Sequence, residues 1–213
     1  MRTTITTLLA CGALALSAAA ALPAEPPAPK VPHMSREEAL AYVQEERLAL
    51  TGSNLVNPIL GGDAEKVEAL LSAGLDVNDT SDLPKPAMRL AASACASHKQ
   101  DADTVLTVME VLLAHGAKVN EPEGSQLTPL MVAAQHCPAP VVKRLLKAGA
   151  DWKFRTPQGF TPLSMSLLLG NYDAAEALIE AGARLSPEAA AKLLEGKKDD
   201  ARLAALVKQA RGK

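Results

Sequence analysis

A spacing of 33 residues constrains this chain more than any other feature. Gly116 and Gly149 are 33 apart, as are Gly149 and Gly182, while Gly74 precedes Gly116 by 42, or 33 plus nine. Each glycine follows an apolar pair at one fixed distance: Leu70-Leu71, Leu112-Leu113, Leu145-Leu146 and Leu178-Ile179. Thr128-Pro129-Leu130 and Thr161-Pro162-Leu163 are also 33 apart. Self-similarity at a fixed period of about 20–50 residues marks stacked supersecondary units. The nine extra residues can be located. Val132 to Gly149 and Met165 to Gly182 span 17, but Leu90 to Gly116 spans 26. The insertion therefore lies between the two helices of the second unit, roughly Ala96 to Thr104.

Each recurring element has a mechanical reason. Threonine caps a helix by accepting from backbone N–H groups, and proline at the first helical position gives up only an N–H without a partner. Ala91-Ala92 and Ala133-Ala134 are small enough for neighbouring helices to approach closely. The leucine pair faces the stack, and the glycine after it ends the second helix in the left-handed conformation. Asn78 and Asn120 fall in the turn leading toward the next unit. One such unit cannot bury its apolar face, so the array coheres only by stacking.

Thr128 to Trp152 (TPLMVAAQHCPAPVVKRLLKAGADW) and Thr161 to Arg184 (TPLSMSLLLGNYDAAEALIEAGAR) resemble the ankyrin repeat, and the resemblance covers about Ser53 to Ser186. It implies an all-α ankyrin solenoid of about four repeats. The histidine of the TPLH motif is replaced by Arg89, Met131 and Ser164, the second repeat opens with Pro86-Ala87-Met88, and the first has a degenerate first helix. Terminal repeats are expected to be atypical because one face meets water. The expected organisation is a leader over 1–20, a Pro-rich linker over 21–34 and an N-terminal capping helix over 35–52. Repeats follow over 53–85, 86–127, 128–160 and 161–186, then C-terminal capping helices over 187–213. Ser35 and Glu38 form a capping box that opens the N-terminal helix, and Thr51-Gly52 is expected to end it.

The leader is read from Met1-Arg2, the mostly apolar stretch Ile5 to Leu16, and small residues at Ser17 to Ala21, with cleavage after Ala20 or Ala24. That stretch is short for a membrane span of about 20 residues. The expected location is periplasmic or secreted. Leu8-Leu9-Ala10-Cys11 resembles a lipobox and leaves a lipoprotein anchored through Cys11 as the alternative.

Composition narrows the function. The chain is 48% hydrophobic but 2% aromatic, which suits helices packed with Ala and Leu rather than aromatic-rich strands. With 22 basic and 24 acidic residues, bulk charge makes no case for nucleic acid; Lys197-Lys198, followed by Asp199-Asp200, reads as a solvated turn. No phosphate loop, HExxH, GxSxG or paired CxxC is present, so no enzyme activity is expected. His33 lies in the linker, and His115 is placed to support a helix C-terminus.

Aligned repeats put Cys95 and Cys137 at the same position, the turn between paired helices. In an oxidising compartment two mature cysteines ordinarily pair. Equivalent points of stacked helices lie about 8–10 Å apart, whereas a disulfide wants Cα atoms roughly 4.4–6.8 Å apart. The insertion after Cys95 can bend that turn toward its neighbour, and a Cys95–Cys137 disulfide is the expectation. The alternative is a metal or haem site of Cys95, His98, His136 and Cys137. Its ligand types suit zinc, but its spacing is not a standard one, so no metal or cofactor is expected.

Trp152, Phe154 and Phe160 are three of five aromatics in the chain, all in one inter-repeat hairpin. The resemblance implies that hairpin tips and first helices line a concave binding face. Trp152 can pack inward and Phe160 can cover the next repeat, but Phe154 is hard to place in a core, and Arg155 adjoins it. Aromatics and arginine dominate binding hot spots. Trp152, Phe154 and Arg155 are therefore the candidate partner-binding residues.

The resemblance extends to bacterial exported or periplasmic ankyrin-repeat proteins. These include accessories of oxidative-stress enzymes such as catalases, and immunity proteins that neutralise delivered toxins. It implies a monomeric module that binds another protein and modulates or protects it in the cell envelope. The other readings are an immunity protein, or a metal- or haem-handling accessory of an oxidative-stress enzyme.

Overall fold

The computed structural model describes residues 30–97, 100–122, 127–195 and 200–211. The expected leader, most of the linker, Cys11, His98 and Lys197 to Asp199 lie outside these. The described residues form eleven α-helices and no strands. α1 is Arg36–Glu45; α2, Ser53–Gly61, pairs with α3, Ala64–Ser72; and α4, Ala87–Ala94, pairs with α5, Ala102–Ala114. α6, Pro129–His136, pairs with α7, Ala139–Lys147, and α8, Pro162–Leu169, with α9, Tyr172–Glu180. α10, Pro187–Glu195, and α11, Ala201–Ala210, close the array. The even helices α2 to α10 stack as one layer, and α1, α3, α5, α7, α9 and α11 stack as the other.

Local chemistry sets the helix ends. Thr128 accepts from Met131 N–H at 3.3 Å and Thr161 from Ser164 N–H at 3.1 Å, each with proline at the first turn. Ser35 and Glu38 make the reciprocal capping box that opens α1. The second helix of every repeat ends in one motif. Gly74, Gly116, Gly149 and Gly182 all have φ between 77° and 118°. Each donates to the carbonyl three residues back, while the next residue donates five back, as in Leu75 N–H to Leu70 and Ala117 N–H to Leu112. This is the Schellman arrangement, open to glycine because it lacks a Cβ.

The apolar pairs are not equivalent. Leu70, Leu112, Leu145 and Leu178 are each fully buried, whereas Leu113 and Leu146 are only half-buried. The first member anchors the repeat, contributing roughly 1.5–3 kcal/mol by burial. Ala91, Ala92, Ala133 and Ala134 are buried between first helices, letting α4, α6 and α8 approach closely.

Two expectations need correction. The N-terminal helix expected over 35–52 stops at Glu45, and Arg47 turns the chain with φ 52°. Ala39 and Val43 are its buried residues, and one turn further the same face would carry Glu46 and Arg47, so the helix has nothing left to bury. Thr51-Gly52 instead precedes α2, with Gly52 at its N-cap. The nine-residue insertion is divided. The connection 95–101 is five residues longer than 137–138, and α5, with 13 residues against nine in α7, takes the other four.

His115 does more than support a helix end: Nε2–H donates to Glu68 in the preceding repeat at 2.9 Å. Glu68 is 2% exposed and also accepts from Met34 N–H at 3.2 Å and Ser72 Oγ at 2.9 Å, with His33 Nδ1 at 3.5 Å. Burial pushes this carboxyl up, but the hydrogen bonds from His115, Met34 and Ser72 outweigh it and hold the group below its ordinary value of 4.5. A carboxyl depressed on folding binds its proton more readily when unfolded. Its contribution is present above the unfolded value and is lost as pH falls through the folded one. Glu68→Gln is accordingly expected to destabilise the protein by about 2 kcal/mol at pH 7 and by progressively less as pH falls below 4.5. Thermal melts of both proteins across that range check it; a gap that does not narrow in acid contradicts this account.

Candidate partner-binding surface

The inter-repeat loops are stitched together by asparagine. Asn78 Nδ2 donates to Gly116 O and its Oδ1 accepts from Lys118 N–H, both at 2.9 Å. Asn120 repeats this one unit on, with Gly149 O at 2.9 Å and Asp151 N–H at 2.8 Å. The sequence placed both residues in turns but did not show that they reach the following repeat. The series then breaks, because Lys153 stands at the next equivalent position. There Trp152 takes over the contact: it packs against the core, and its indole comes within 3.7 Å of where a Cβ on Gly182 would lie.

The loop carrying Trp152 folds back on itself. Thr156 N–H donates to Phe160 O at 3.0 Å, Gly159 N–H to Thr156 O at 2.8 Å, and Phe160 N–H to the Thr156 hydroxyl at 3.2 Å. Gly159, with φ 83°, follows Pro157-Gln158 in a tight turn. Buried Thr156 pins the base, so the tip is rigidly held. Phe154 is half-buried and outside the hydrophobic core, whereas Trp152 belongs to its margin. Phe160, expected to cover the next repeat, is 37% exposed. Arg155 is exposed, and the Lys153 ammonium lies 5.1 Å from the Trp152 ring. Among the described residues neither cation has an ion-pair partner. Trp152, Phe154 and Arg155 thus share the one hairpin in which the sequence placed them, and the structure adds exposed Lys153, which sequence reasoning had left aside, and Phe160, which it had assigned to packing.

Cys95 and Cys137 stand in bonding geometry, with sulfurs 2.13 Å apart and Cα atoms 5.1 Å apart. Neither turn follows the pattern of α8, which ends at Gly170 with φ 79°. Cys95 opens a short 3₁₀ turn, Cys95–Ser97, directly after α4, and Cys137 is extended at ψ 150°. These departures draw the two backbones inside the ordinary spacing of stacked helices. His136 is exposed beside the pair. Among the described residues no three His, Cys, Asp or Glu side chains are grouped to hold a metal ion, and no helix is long and apolar enough to cross a membrane.

The family model described as Ankyrin repeats (3 copies) matches residues 56–156 and, overlapping them, 94–189. A search of curated proteins finds no match. The matched stretch contains every helix from α3 to α9, both asparagine bridges and the aromatic loop.

Proposed function

The chain belongs to the ankyrin-repeat family, and on that footing we propose that it is an exported, non-catalytic module that binds another protein through the loop 151–160 and modulates or protects it in the cell envelope. The family supports protein binding in general; a scaffold alone does not choose a partner, so the specific reading rests on the loop. One observation carries it. In a chain with five aromatics, Phe154 stands outside the core and Phe160 is exposed, next to Arg155 and Lys153, neither of them in an ion pair among the described residues, on a tip held by its own hydrogen bonds. Rigid aromatic anchors beside arginine are what binding hot spots use.

Export rests on the leader-like first 20 residues and on the cysteines. Two buried cysteines in bonding geometry suit an oxidising compartment, where a disulfide persists. The Cys95–Cys137 bond is part of the proposal. With both sulfurs joined, this cluster would keep only its histidines for a metal.

The test is the double variant Phe154→Ala/Arg155→Ala. Both side chains lie outside the core, so the melting temperature is expected to stay within a degree or two. Capture of a partner from envelope extract should weaken at least tenfold. A protein that still melts normally and captures the same partner with undiminished affinity would falsify the assignment.

A further inference from the structure

We propose that the partner segment received by this loop is acidic and apolar, and that it lies along the row of loops with its acidic end over Lys153 and Arg155. The inference rests on the binding role of loop 151–160 given above and adds the chemistry of what binds there.

The argument is charge complementarity along a fixed row. The asparagine bridges tie the first loop to the second and the second to the third, so the three present their charges in a set order. The first loop exposes Asp76, Asp79 and Asp82, with only half-buried Lys85 against them. In the second, the described charges Lys118 and Glu121 pair with each other at 3.6 Å. The third carries Lys153 and Arg155. Its one acid, Asp151, accepts from Lys153 N–H at 2.8 Å, as Asp76 and Asp79 accept from Asn78 and Ser81 N–H, and offsets one of the two cations. Counted from the sequence, the three loops carry net −2 (Asp76, Asp79, Asp82, Lys85), −1 (Lys118, Glu121, Glu123) and +1 (Asp151, Lys153, Arg155), so charge runs from negative to positive across the repeats, although the chain as a whole is near neutral at −2.

Exposed cations beside apolar rings favour a ligand with the same pairing of features. A carboxylate on the partner accepts two parallel hydrogen bonds from the Arg155 guanidinium, while an adjacent aliphatic side chain covers Phe154 and Phe160. A basic segment meets repulsion at this tip and finds its match only at the opposite end of the row. The gradient thus sets direction as well as sign, which is the usual contribution of interface electrostatics. Trp152, the only tryptophan, lies beneath the patch and reports its occupancy directly.

The experiment follows Trp152 emission in the full chain, titrated with a synthetic twelve-residue peptide of leucine, proline and glutamate or with its lysine counterpart of the same spacing. The glutamate peptide is expected to change the emission saturably and to bind at least tenfold more tightly. Raising salt from about 50 to about 300 mM should weaken it several-fold. Lys153→Glu/Arg155→Glu should reverse the preference, and Arg155→Gln alone should lower glutamate-peptide affinity several-fold; circular dichroism confirms that each variant is folded. Equal binding of the two peptides, binding of neither, or a response to phosphatidylserine vesicles alone overturns the proposal. If the glutamate peptide fails but Phe154→Ala/Arg155→Ala still loses its natural partner, the surface binds protein and only its acidic preference falls.

Discussion

Reducing the Cys95–Cys137 pair, or replacing Cys137 with Ser, is expected to lower the thermal midpoint of the oxidised protein by about 10 °C. The cysteines are 42 residues apart in the chain. On the chain-entropy account, closing a loop of that length removes unfolded-state freedom equivalent to about 4 kcal/mol. For a protein of this size each kcal/mol corresponds to roughly 2–4 °C. The loss has a definite place. The proposed bond joins the ends of α4 and α6, the junction of the second and third repeats, and in a linear array each repeat is held only by its neighbours. Without it, hydrogen exchange should rise first on either side of that junction, ahead of the C-terminal helices. The measurement is a pair of melts with and without reductant, after mass mapping of the non-reduced protein. Two free thiols in the exported protein, or identical midpoints once the bond is verified, defeat the expectation.

Leu145→Ala will destabilise the array by about 3–4 kcal/mol, while Leu146→Ala, one residue along, will cost about 1 kcal/mol. Leu145 is fully buried in α7, in the middle of the array, where stacked helices on both sides restrict collapse into the cavity. Leu146 is half-buried and already faces solvent on one side. Urea unfolding of the two variants distinguishes them, and comparable losses would mean that the pair is buried symmetrically after all. The contrast also bears on binding. A repeat loosened at Leu145 stops presenting its loop in line with the others, so Leu145→Ala should weaken partner capture without touching the surface.

Much of this architecture is legible in one dimension because its causes are local. A threonine cap, a first-turn proline and a terminating glycine act within a few residues of themselves, and the 33-residue period exposes them by repetition. Hence the repeating units and their order followed from spacing, and the all-helical array from the ankyrin resemblance that the spacing carries. The aromatic loop was also visible, since three of five aromatics fall within nine residues. With Thr51-Gly52 as the expected helix stop, the reading overshot: α1 ends at Glu45 because Glu46 and Arg47 would fall on its buried side.

Contacts between repeats were hidden, because they depend on how far apart and at what angle the units stack. Glu68 and His115 are 47 residues apart, and nothing in either neighbourhood announces that one carboxylate gathers His115, Met34 and Ser72. Only the stacked structure showed that Asn78 and Asn120 reach across, that one leucine of the 145–146 pair anchors while the other faces water, and that Phe160 stays exposed. The 5.1 Å approach of Cys95 and Cys137 has the same origin. Alignment put both at one position, but closing the gap took a 3₁₀ turn on one repeat and an extended residue on the other. Period and punctuation belong to the chain's short-range chemistry; burial, pairing and the exposed face belong to stacking, which joins residues that the sequence keeps far apart.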